Sequence, residues 1–137
     1  MLQQKINLYE YDWDVTVYYD VCPSNADAII DELWDMGCPQ RHLYKAERLL
    51  KSGVANEGLT YTDHDSCRTI IVIGHTSDLF EAINSLSHEV NHLEMHICQH
   101  FSIDPFSEEA AYLSGSIKER LARNAWYSLK KLFLYLL

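Results

Sequence analysis

The sequence predicts an α+β fold, with a small mixed or antiparallel β-sheet packed on helices in a single domain over residues 1–137. Three observations lead there. Near the N-terminus, apolar and polar residues alternate with the period of two that marks a half-buried strand. A later run, Thr69-Ile70-Ile71-Val72-Ile73, is β-branched and almost wholly apolar, which suits the interior of a sheet. Elsewhere the apolar residues recur at helical spacing. A chain of 137 residues is long enough for one domain with one core, and no repeat or low-complexity stretch marks a linker.

Taken in order, residues 5–21 read as strand. Tyr9, Tyr11, Trp13, Val15, Val17, Tyr19 and Val21 share one face, and Glu10, Asp12, Asp14, Thr16 and Asp20 the other. Ile6 and Leu8 sit in the opposite phase, so the register slips near Leu8, as at a bulge. The alternation is longer than one strand usually runs, and a turn at Asp12-Trp13-Asp14 is expected to split it. Pro23-Ser24-Asn25 offers a helix start, Ala28, Ile29, Leu33 and Trp34 give helical spacing, and Gly37 a stop. Pro39 opens a second helix with Leu43, Ala46, Leu49 and Leu50 on one side and Gly53 beyond its end. Leu59-Thr60-Tyr61-Thr62 and the run from Thr69 form a strand pair, joined by the turn-like Asp63-His64-Asp65-Ser66. Thr76 or Ser77 caps the next helix. Another helix starts near Ser107 after the break at Asp104-Pro105, and residues 122–137 are helical again after a bend near Asn124.

Charge excludes one class of function. The chain carries 20 acidic against 11 basic side chains, a net charge of −9, and no Lys/Arg block that could track phosphates. No nucleic-acid partner is expected. No window has the length and apolarity of a membrane span, and the first residues lack a basic segment followed by an apolar run. A cytoplasmic protein off the membrane is expected, with Cys22, Cys38, Cys67 and Cys98 as reduced thiols, since no C-x-x-C pair occurs.

The stretch with chemistry is Ser87-His88-Glu89-Val90-Asn91-His92, a match to H-E-x-x-H. Two histidines four residues apart lie one helical turn from each other and can grip one zinc ion, and the glutamate between them serves as general base. Leu79, Ile83, Leu86, Leu93 and Ile97 fall within about 60° of Val90 on a helical wheel, so that stripe faces the core. His88 and His92 fall about 160° from Val90 on the other side, with Glu81, Asn84 and Met95. A histidine pair on a polar helix face is ordinarily just solvated; Glu89 in the required place argues for more. A catalytic zinc needs a third ligand. His96 continues the series, but it stands about 12 Å along the axis from His88, too far for one ion. His96 and His100 are therefore read as surface or supporting residues. The longer metzincin signature fails, because Met95 and Cys98 stand where glycine and histidine are needed. Glu108, in the first turn of the next helix, is the better candidate and Glu109 the second choice. The plain alternative is that both acids merely favour a helix N-terminus.

With Glu108-Glu109-Ala110-Ala111-Tyr112-Leu113-Ser114-Gly115 beside the His/Glu/His stretch, the chain resembles the small zincin-like metallopeptidases encoded by phages and related mobile elements. The order of strands and helices follows along most of the chain, but only these two motifs are specific. The resemblance implies a gluzincin-like domain with zinc (Zn2+) held by His88, His92 and Glu108, Glu89 as base, and peptide-bond hydrolysis. Two positions depart from the pattern: Glu109 stands where alanine is usual, and Glu94 where an apolar residue is common.

As an enzyme, the chain would act on a peptide or protein, which could add as a strand along a sheet edge. Tyr112, one turn from Glu108, would donate to the developing oxyanion, unless it is simply a packed tyrosine. The alternative is a non-catalytic protein in which zinc braces two helices for binding or assembly. The apolar run over residues 126–137 covers the domain's own core or joins copies into a homo-oligomer.

Overall fold

The N-terminal alternation forms two strands in the computed structural model, which describes residues 1–136 and the side chains through Arg123. Strand β1 (Leu2–Leu8) pairs antiparallel with β2 (Trp13–Val21), Leu8 opposite Trp13. The phase change at Leu8 is thus a hairpin turn and not a bulge. Tyr11 N donates to Leu8 O at 2.9 Å, and Asp12 closes the turn in the left-handed region with φ 48. The turn lies just ahead of Trp13, so Trp13 and Asp14 belong to the second strand.

The sheet is mixed, with strand order β1-β2-β4-β3. Strand β4 (Arg68–Gly74) runs parallel to β2, and β3 (Gly58–Asp63) pairs antiparallel with β4 at the far edge. A parallel neighbour demands a long connection. Here it begins with a 3-10 turn (Pro23–Asn25), α1 (Ala26–Asp35) and α2 (Gln40–Ser52). Gly53, left-handed with φ 66, ends α2 where a side chain would be strained.

Both faces of the sheet are covered. Helices α1 and α2 pack Ile29, Leu33, Leu43 and Ala46 against Tyr18, Ile70 and Val72. Helices α3 (Leu79–Phe101) and α4 (Glu108–Leu136) pack Val90, Leu93, Ile97 and Ile117 against Val15, Val17 and Ile71. This is why the middle of β2 is buried on both sides despite its alternating sequence, and why β4 carries no alternation.

Three helical details differ from expectation. Asp78, rather than Thr76 or Ser77, caps α3, its carboxylate accepting from Glu81 N at 2.8 Å. The apolar stripe of α3 is buried only from its middle onward, because Leu79 and Ile83 are 46% and 55% exposed. Helix α4 continues through Asn124 as one helix. Ser107 does cap α4, its hydroxyl accepting from Ala110 N at 3.2 Å. The side chains of residues 126–137, expected to cover the core or join copies, lie outside the described residues. No described helix is long and apolar enough to cross a membrane, and none of the four cysteines is paired.

Candidate metal centre

The His/Glu/His stretch lies in the middle of α3, whose inner face is fixed by Val90, Leu93 and Ile97 in the core. That packing turns His88 and His92 outward. Their Nε2 atoms are 3.2 Å apart, with ring centroids 4.9 Å apart. Two nitrogens bound about 2.0–2.1 Å from a tetrahedral zinc would be separated by about 3.3 Å. The pair therefore fits as two ligands of one ion.

Glu89 points elsewhere, towards β3. It is only 5% exposed. The Thr60 hydroxyl donates to its Oε2 at 2.6 Å and also contacts its main-chain oxygen at 3.1 Å. Gly58 makes room for it: a Cβ there would stand 3.1 Å from both Cγ and Oε1 of Glu89. The carboxylate is thus clamped between α3 and an edge strand.

Glu108 is not brought to the histidine pair. Among the described residues, no three His, Cys, Asp or Glu side chains are grouped to hold one ion. The reason is the side on which α4 crosses α3. Lys118 of α4 faces Glu94 at 3.8 Å, and positions 94 and 92 lie about 160° apart around a helix. Burial first, then the charges of Glu94 and Glu109, hold the Cys98 thiol above its ordinary range, which places Glu109 on that same flank. Burial and Glu109 likewise raise the Tyr11 phenol. Glu108 and Tyr112 are exposed on α4, whereas His88 and His92 face outward on α3, away from the flank that meets α4. The acid at position 94, unusual for the resembled family, is accounted for by its ion pair with Lys118.

His96 and His100, expected as surface or supporting residues, join His64 in extending the pair. His92 leads to His96 (ring centroids 6.4 Å), His96 to His64 (5.9 Å), and His64 to His100 (5.5 Å). Five of the seven histidines thus form one row from mid-α3 to the β3–β4 turn. His96 is half-buried, with Nδ1 bonded to Thr62 Oγ1 at 2.8 Å. Burial, then the neighbours His64 and His92, push its pKa down. The four-residue spacing of His88, His92, His96 and His100 was a visible signal for the row; His64 could not be placed without the strand pairing.

The chain matches no protein-family model, no curated protein and no solved structure.

Proposed function

We propose that this protein is a zinc-dependent hydrolase of peptide bonds, with His88 and His92 as two of the metal ligands and Glu89 as the base. The observation that carries this reading is the 3.2 Å approach of the two Nε2 atoms, with Glu89 between them in sequence. A second observation supports the substrate class. Strand β3, which clamps Glu89, is a sheet edge with no strand on its outer side among the described residues. An extended peptide can add there by main-chain hydrogen bonds and pass beside the carboxylate.

Zinc at this pair would supply a bound water acidified towards neutral pH. The chain's own residues then divide the work. His88 and His92 would hold the ion through Nε2. Thr60 donates to Oε2 of Glu89 and holds the carboxylate against β3, so Oε1, beside Gly58, is the oxygen that would accept a proton from the bound water and return it to the leaving amine. The geometry gives no support to Glu108 as third ligand or to Tyr112 as oxyanion donor, so neither is given a part.

A specific observation favours the second reading, a non-catalytic zinc-binding protein: Glu89 is buried and already bonded, and a third protein ligand is missing among the described residues. Substitution Glu89→Gln separates the two. The amide keeps an acceptor for Thr60 and leaves the histidines untouched, so metal content by elemental analysis should be unchanged. Hydrolysis of a mixed peptide library should be abolished, by roughly 100-fold or more for a lost general base. A wild-type protein that retains zinc but cleaves nothing sinks the enzymatic reading; one that retains no zinc sinks both.

A further inference from the structure

We propose that His64 and His100, backed by Cys67, form a second binding site for a divalent transition metal, at the C-terminal end of α3. It uses none of the residues of the His88/His92 pair and stands or falls independently of it.

The site is assembled from two elements. His100 comes from the last turn of α3 and His64 from the turn between β3 and β4. Their Nδ1 atoms are 3.3 Å apart. That separation is a hydrogen bond when one of the two Nδ1 atoms carries the proton. The same separation is the edge of a tetrahedral shell with metal–nitrogen distances of about 2.0–2.1 Å. The ring planes lie within 7° of parallel, so an ion would replace the proton after a rotation of the rings that brings both lone pairs onto it.

The surroundings add an outer group and a restrained turn. Cys67 Sγ lies 3.8 Å from His100 Nε2. When Nε2 carries the proton and donates to sulfur, Nδ1 is left free for a metal, the usual way an outer group sets the tautomer of a ligating histidine. The turn is held stiffly. Asp63 Oδ2 accepts from Ser66 Oγ at 2.6 Å, and Asp63 Oδ1 accepts from Asp65 N at 3.2 Å. Cys67 takes φ 52, a left-handed conformation that costs a non-glycine residue energy, and Asp14 N anchors its carbonyl at 3.0 Å. Both imidazoles are exposed, so an ion has access. The acids of the turn and the net charge of −9 favour cations. Imidazole donors with sulfur nearby select the zinc, nickel and copper class over magnesium or calcium.

Trp13 provides the reporter. Its ring centroid is 5.2 Å from that of His100 and 6.0 Å from that of His64. Copper(II) this close quenches indole fluorescence. The test uses the full chain carrying Trp34→Phe and Trp126→Phe, stripped with EDTA, desalted and titrated with Cu2+. Saturable quenching is expected, reversed by excess Zn2+. His64→Gln with His100→Gln should abolish it, Cys67→Ser should weaken binding about tenfold, and His88→Ala with His92→Ala should leave it in place. Circular dichroism before metal addition checks that each variant is folded, and the single His64→Gln variant substitutes if the double does not fold. Absence of saturable quenching, quenching that survives loss of His64, or quenching that disappears only with His88 and His92 overturns the proposal.

Discussion

Glu89 is the residue on which the two functional readings diverge, and Thr60 is its only described side-chain partner. Removing that partner tests how the carboxylate is held. Thr60→Val keeps the shape of the side chain but withdraws the hydroxyl, leaving a buried acceptor without its donor. Unsatisfied buried polar groups cost about 1–3 kcal/mol, so the urea midpoint should fall by that equivalent while the fold persists. A midpoint unchanged from wild type would mean that water replaces the hydroxyl. His96 makes a different prediction at the same scale. Folding lowers its pKa through burial and through His64 and His92. The unfolded chain therefore binds more protons between the lowered value and the ordinary imidazole value of about 6.5. Stability rises with pH through that window; the contribution is complete above it and is lost as pH falls through it. His96→Gln, which can still bond Thr62, should flatten the acid limb of a plot of urea midpoint against pH, measured on EDTA-treated protein. An unaltered slope below about pH 6.5 would assign the acid sensitivity to other groups.

At the scale of elements, the contact that matters is α3 on β3. Gly58 sits in it, wedged between Val72 of β4 and Glu89 of α3. A Cβ there would come within 2.7 Å of the Val72 carbonyl and 3.1 Å of Glu89 Oε1. The first neighbour is backbone and cannot swing aside. Gly58→Ala should therefore destabilise by about 1–3 kcal/mol, as overpacking does, and displace the Glu89 carboxylate. Thermal denaturation reads the first effect, and under the enzymatic reading loss of hydrolysis with zinc retained reads the second. Nothing in the sequence marks this contact, since it depends on which strand α3 lies beside. Local signals were legible: the strand run from Thr69, Gly53 ending α2, and Ser107 capping α4 each report a conformation set within a few residues. The parallel pairing of β2 with β4 was not, because alternation reveals which face of a strand is apolar and says nothing of its neighbour. Glu108 went astray for the same reason. Where α4 crosses is set by distant partners, Gln4 Nε2 on Leu121 O at 2.8 Å and Arg120 on Glu10 at 2.9 Å. These hold α4 over β1, away from the histidine flank. Leu79 and Ile83 have the right spacing but no described partner wide enough to bury them.

For the molecule as a whole, the question is whether metal is part of the fold or a passenger on it. Two cores, one on each face of the sheet, close without a metal-binding side chain among their largest members: Trp13, Leu8, Ile29, Leu33, Ile70, Ile71, Leu93 and Ile97 are all fully buried. Both proposed ion sites lie outside them. The first spans a single turn of one helix, and the second joins the end of that helix to a turn already fixed by hydrogen bonds. Neither resembles a small metal-nucleated domain that is unfolded without its ion. Chelation should therefore leave a folded protein with unchanged secondary structure. The stability lost should follow mass action, about 2.7 kcal/mol per site when free zinc stood at 100 times its dissociation constant. Circular dichroism with and without EDTA, followed by thermal melts across a range of free zinc, tests this directly. A melting temperature that climbs smoothly with zinc, from an apoprotein already folded, is the expected result. An apoprotein that is unfolded would instead make the ion a structural brace, which would move the balance towards the non-catalytic reading and away from Glu89 as a base.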